Sequence, residues 1–256
     1  MTDDPGSHPD VLEEARRLVV AAEQTGLRLW LLGGAAIHYL LGDRLHPRLA
    51  RQLKDIDFVT VGSERGRVIR FLTDRSYVED GEFNAIHGAR RLLFYDNRNA
   101  RQLDVFVDVF EMCHSLPLPG RLGEGKATLH LAELVLTKLQ IVRLNAKDRH
   151  DLYALLLEYG IADHDDHSIN GARVAELCSR DWGLFRTLQL NLQRLRDGLA
   201  EQPLSPAERA VIALRVDEIA QAVEEAPKSR AWRLRARVGD RVVWYQEPDE
   251  VDPGAP

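Results

Sequence analysis

Residues 55–61 read Asp-Ile-Asp-Phe-Val-Thr-Val, a β-branched and aromatic run that predicts a strand. Side chains alternate across a strand, so Asp55 and Asp57 share one face while Ile56 and Phe58 point into the core. Aspartate is disfavoured in strands and like charges on one face repel, so the pair carries a cost that something must offset. A cation between the carboxylates does so. Mg²⁺ suits the place, because it takes one or two carboxylates together with substrate phosphates. Two solvated aspartates at a strand start are the alternative.

Upstream, residues 27–32 form a short apolar strand that ends at Gly33-Gly34, and residues 35–41 read as a helix beginning at the glycines. Such a junction lets backbone approach a ligand closely, with free N–H groups at the helix start aimed at an anion. A tight strand-to-helix turn that binds nothing gives the same pattern. Glycines followed by Asp-x-Asp on the next strand are more specific, since an anion cradle and metal carboxylates then belong to one site. A third carboxylate is expected from a neighbouring strand. Residues 101–110 offer Asp104 and Asp108, both on the face of Phe106. Asp104 is the better candidate, being preceded by Arg101 and Gln102 and flanked by apolar residues, while Asp108 is a supporting or exposed residue.

The rest of the chain frames this unit. Asp10 and Glu13 read as a capping box before the helical stripe Leu12, Ala15, Leu18, Val19 and Ala22, which Gly26 ends. A basic loop (Arg44, His46, Arg48, Arg51, Lys54) leads into the Asp-x-Asp strand, and residues 64–75 read as a helix. Two more strands are expected over 90–95 and 102–110. The expected fold class is α+β. Residues 1–120 make a small mixed sheet with flanking helices, and residues 121–229 make a Leu-rich helical domain. Residues 230–247 make a β-hairpin turning on Gly239-Asp240, and 248–256 a flexible tail. In the hairpin Arg233, Arg235, Arg237 and Arg241 form a basic stripe, either a solvated strand face or a phosphate-binding one.

Composition excludes several classes. With 45% hydrophobic and 29% charged residues in 256, the chain is an ordinary globular protein able to bury a core. A net charge of −6 argues against a broad grip on duplex nucleic acid. The two cysteines, Cys113 and Cys178, lie far apart and suggest a reducing compartment. The first ten residues are polar and acidic, unlike a secretory signal, and the most apolar stretch, 27–41, is too short to span a bilayer. A cytoplasmic, non-membrane protein is expected. Residues 120–127, GRLGEGKA, fall one residue short of a P-loop because Ala127 stands where Ser or Thr would hold Mg²⁺, so they read as a linker. The nine histidines show no metal-binding spacing, and no GxSxG elbow is present.

Gly33-Gly34, Asp55-Ile56-Asp57 and Asp104 resemble the DNA polymerase β-like nucleotidyltransferase superfamily in its minimal bacterial branch, over residues 27–110. The run KLQIVRLNAKDRHDLYALL is similar to the K…R…KDxxDL motif of AbiEii-type nucleotidyltransferase toxins. The resemblance implies a cytoplasmic, Mg²⁺-dependent enzyme that moves a nucleoside monophosphate from a nucleoside triphosphate such as ATP to an acceptor hydroxyl. Two Mg²⁺ ions would sit on Asp55, Asp57 and Asp104. Gly33, Gly34, Arg51, Lys54 and Lys138 would receive the nucleotide, with Asp148 near the nucleotide or the acceptor. The acceptor would be a small molecule, as for antibiotic nucleotidyltransferases, a tRNA end, as for the tRNA-modifying members of toxin-antitoxin systems, or a protein. The rival reading is a non-catalytic nucleotide-binding or antitoxin-like module on the same fold.

The residues support part of this independently. Lys138 has Leu134, Val135, Ile141 and Val142 around it on an apolar stripe, where an amine wants a carboxylate or phosphate partner. Its stem could equally run along the core to water, and Asp148, after Asn145, could cap the next helix. One departure stands out. Many relatives carry Ser or Thr at or just after the second glycine, whereas here Ala35-Ala36 follow, so phosphate contacts fall to backbone or to the Arg51/Lys54 loop.

Overall fold

A computed structural model describes residues 6–123 and 126–247; the expected tail at 248–256 lies outside the described residues. Five strands build the central sheet: β1 (Leu29–Leu32), β2 (Ile56–Thr60), β3 (Val78–Glu79), β4 (Arg91–Asp96) and β5 (Arg101–Val107), in the order β1-β2-β5-β4-β3. Only β2 and β5 are parallel; β1–β2, β5–β4 and β4–β3 are antiparallel. One face, with Ile56, Phe58, Leu103, Val105, Leu92 and Phe94, is fully buried. The opposite face carries Asp57 and Asp104, so strand alternation places the carboxylates as the sequence implies.

Helices frame the sheet: α1 (Val11–Gln24), α2 (Gly33–Leu41), α3 (Arg65–Thr73) and α4 (Gly81–His87). The Asp10 side chain accepts from the backbone of Leu12 and Glu13, but the reciprocal half of the capping box is absent, because the Asp10 N–H donates to His8 Nδ1. Gly26 ends α1 in the left-handed region, φ 61°. From Leu131 the chain is mostly helical: α5 (Leu131–Leu139), α6 (Ala146–Glu158), α7 (Gly171–Arg180), α8 (Trp182–Gly198) and α9 (Pro206–Glu225). α2 packs against α5 and α6, and one apolar cluster runs from Ala15 through the sheet to Val223. The fold is α+β.

Two sequence expectations are corrected, the strand over 102–110 and the C-terminal hairpin. The strand over 102–110 breaks at Asp108, whose φ of 61° turns the chain so that Val109–Glu111 pairs with Ser115–Pro117 in a separate two-stranded sheet. β3 and α4 occupy residues that sequence periodicity left unread; Asp80 caps α4 by accepting from the Phe83 backbone. The C-terminal hairpin is instead a helix, α10 (Arg230–Val238). Ser229 accepts from the Trp232 N–H as its N-cap, and Gly239, φ 61°, stops it. The residues that suggested a hairpin turn are thus a helix stop. Tertiary packing decided the outcome, since the Trp232 ring meets Phe185 of α8 edge-on at 5.1 Å. The basic stripe is dispersed accordingly: Arg235 stacks over Trp182, and Arg233 and Arg235 donate to backbone carbonyls. Both cysteines are free and buried, and among the described residues no helix is long and apolar enough to cross a membrane.

Candidate functional site

The parallel pairing of β2 with β5 sets Asp57 directly opposite Asp104, and the pairing of β1 with β2 sets Leu32 opposite Asp57. The residue after Leu32 therefore passes beside the Asp57 carboxylate. Gly33 holds φ 66°, and a Cβ there would lie 2.1 Å from Asp57 Oδ2. A Cβ on Gly34 would lie 2.0 Å from Arg51 Nη2. At Gly33 the left-handed φ and the short Asp57 side chain both disfavour a Cβ, whereas at Gly34 the conflict is with the guanidinium end of Arg51, which Asp151 holds in place.

The three carboxylates have different surroundings. Asp57 is half-buried, and its carboxyl is pushed up to about 7 by burial first, then by Asp104, with Asp55 adding; Lys138 and Arg91 pull it back. Asp55 is exposed by surface area yet is also raised, by desolvation in the crowded cleft and then by Asp104, against the pull of Lys147, Lys54 and Arg51. Asp104 is 3% exposed. Its Oδ1 accepts from Arg91 Nε at 2.7 Å and its Oδ2 from Gln102 Nε2 at 2.8 Å.

The opposite wall comes from α5 and α6. The Lys138 amine, 12% exposed, lies 2.7 Å from Asp148 Oδ1 and 3.0 Å from Asp151 Oδ2. Burial would lower this amine, but Asp151 and Asp148 outweigh it and hold it above its ordinary value. Arg51 grips the same Asp151 with Nε and Nη2, each at 2.8 Å. Burial would raise the Asp151 carboxyl, and Arg51 and Lys138 hold it below the usual carboxylate range. Asn145 is the N-cap of α6, accepting from the Asp148 N–H at 3.0 Å, so Asp148 is a buried member of the ion cluster and not the cap.

Between the two walls lies a cleft of about 220 Å³ lined by Gly34, Arg51, Lys54, Asp55, Asp57, Lys138 and Asp148, all singled out in the sequence. Gly33 lies beside Asp57, and Asp104 is Asp57's partner in register. Asp108 is not part of the site; it faces the loop after β2 and accepts from the Gly62 N–H at 3.1 Å. Four neighbours were missed. Asp151 and Lys147 are the second aspartate and the lysine of the KDxxDL run, a signal already in view. Arg91 is legible only from the register that sets it opposite Phe106. His38 of α2 is 7% exposed, and its Nε2 has no hydrogen-bond partner; burial lowers its pKa while Asp151 opposes.

Among the described residues no three His, Cys, Asp or Glu side chains are gathered as a ready-made metal centre. The donors that fit a cation are Asp55 and Asp57, both raised by burial and then by Asp104, so that a cation close to them would favour their charged forms. Asp104 has both oxygens engaged by protein donors. A dication held by one or two carboxylates completes its shell with water and substrate oxygens, so such a site needs no full protein cage. Compared with protein-family models, curated proteins and solved structures, the chain matches none.

Proposed function

We propose that the protein is an Mg²⁺-dependent nucleotidyltransferase that passes a nucleoside monophosphate from a nucleoside triphosphate to an acceptor hydroxyl. The observation that carries this reading is the Asp57–Asp104 register beside Gly33, with Asp57 pushed up to about 7 by burial and then by Asp104. A site that keeps carboxylates so crowded sacrifices stability, and cation binding supplies the reason. Asp55 and Asp57 would hold the metal, which when bound would neutralise charge developing on the transferring phosphoryl group. Lys54 and Lys147, exposed at the cleft rim, are the residues best placed to meet the outer phosphates. Arg51 and Lys138 are already paired with Asp151 and Asp148, so they brace the wall and contribute field. In the step itself the acceptor oxygen bonds the α-phosphorus, the bond to pyrophosphate breaks, and the hydroxyl proton passes to a carboxylate, for which Asp104 is the candidate.

The test is pyrophosphate release with each of the four nucleoside triphosphates and Mg²⁺, using small-molecule, RNA and protein acceptor pools. Loss of release in an Asp55→Asn/Asp57→Asn double variant is expected; equal release by wild type and variant would overturn the assignment. The internal pairing of Arg51, Lys138 and Asp104 favours a second reading, a non-catalytic nucleotide-binding module. Saturable nucleotide binding with no transfer to any pool would establish it.

A further inference from the structure

A second cavity, of about 380 Å³, lies between α4, the start of β4, residues 111–112 and residues 246–247. Its link to the aspartate cleft is Arg91. Antiparallel pairing sets Arg91 opposite Phe106, two residues beyond Asp104 and on the same sheet face. Arg91 Nε holds Asp104 at 2.7 Å, while its guanidinium lies 5.5 Å from the Phe83 ring centre and 5.4 Å from that of Phe106. Its two terminal nitrogens have no protein partner among the described residues. The side chain is only 15% exposed, and His87, which lines the same cavity, lies 4.7 Å from the Phe83 ring. The other arginine of the cavity, Arg90, is paired with Glu111.

Each feature restricts the ligand. The accessible aromatic rings of the cavity wall, Phe83 and His87, favour a flat ring that packs against them. Unused donors of a rigid fork favour an oxygen acceptor such as a carbonyl or carboxylate. Arg90 and Arg91 each carry a carboxylate partner, so the cavity offers little net charge to hold a polycation or a polyanion. The volume is at the small end of ligand pockets, about 300–1,000 Å³, enough for one ring system with its substituents. We infer that this cavity binds the acceptor, a planar ring bearing a carbonyl or carboxylate oxygen that stacks on Phe83 and takes the free nitrogens of Arg91. The inference rests on the transferase reading for the ligand's role, since Arg91 then stands between the acceptor and Asp104. A nucleobase and an aromatic acid share the required chemistry.

Uridine and 4-hydroxybenzoate are the two probes, each titrated by saturation-transfer NMR against wild type, Ala89→Trp and Arg91→Gln. Ala89 is exposed on the cavity wall, so the indole fills the space without entering the core. A non-hydrolysable triphosphate analogue with Mg²⁺ is titrated in parallel. At least about tenfold weaker probe binding by both variants is expected. Binding of uridine alone assigns the nucleobase source, and of 4-hydroxybenzoate alone the aromatic-acid source. If neither probe binds wild type, or both bind the variants unchanged, the inference is overturned, even where the analogue binds. If the probes bind as expected and the analogue does not, the cavity assignment stands while the transferase reading falls.

Discussion

Asp151 offers the sharpest test of how the two walls of the cleft are joined. It is 1% exposed and accepts from Arg51 at 2.8 Å twice and from Lys138 at 3.0 Å. Removing one member of a buried ion cluster typically costs about 3–5 kcal/mol, because the partners stay desolvated and unpaired. Here the cost falls at the lower end, about 3 kcal/mol, for two reasons. Lys138 keeps Asp148 at 2.7 Å, and Arg51, 15% exposed, lines the cleft and can turn toward water. Asp151→Ala is therefore expected to destabilise by about 3 kcal/mol, and Arg51→Ala by about 2 kcal/mol. The double variant should lose less than their sum by at least about 1 kcal/mol. Urea denaturation of all four proteins at pH 7 reads the cycle. The low Asp151 pKa adds a sign: its contribution is present above the ordinary carboxylate pKa and fades as pH falls through the depressed one, so the coupling should shrink in acid. Additivity within about 0.5 kcal/mol would refute the brace.

Further outcomes are expected. Gly33→Ala should cost clearly more than Gly26→Ala: both are left-handed, worth about 1–2 kcal/mol, but only at Gly33 does the new Cβ meet a carboxylate, while nothing lies within 4 Å at Gly26. Thermal melts of the two variants compare them directly. In metal-free protein Asp57→Asn should be stabilising, and increasingly so from pH 5 to pH 8. A carboxyl raised to about 7 lets the folded state bind protons that the unfolded state has lost, so wild type weakens as pH rises toward and through that value. A gap that narrows with pH would contradict this. Trp232→Ala should free α10 from Phe185 at a cost of about 2 kcal/mol and leave nucleotide-analogue affinity unchanged, read by denaturation and calorimetry.

Much of the site was legible because it rests on short-range geometry. Period-two alternation placed Asp55 and Asp57 on one face, and glycines between a strand and a helix announced a close approach. The closeness, however, is to Asp57 and Arg51 of the protein itself. Asp104 followed from the same alternation on β5, and Asp108 escaped it through a single left-handed residue. What stayed hidden depends on partners distant in sequence. The apolar stripe around Lys138 shows an amine in need of a counter-charge, but that Asp148 and Asp151 both supply it needs the packing of α5 on α6. In residues 233–238 arginines alternate with other residues, imitating a strand, and over so short a run the cap at Ser229, the stop at Gly239 and contact with α7 and α8 select the helix.

The interleaving of charge around the cleft has a kinetic consequence. Asp55, Asp57, Asp104, Asp148 and Asp151 are equalled in number by Arg51, Lys54, Arg91, Lys138 and Lys147. Beyond a Debye length, about 8 Å in physiological salt, such a set looks almost neutral, so an incoming anion gains little long-range guidance. Encounter is then set by diffusion and orientation, with little response to ionic strength, and discrimination falls to contacts made after arrival.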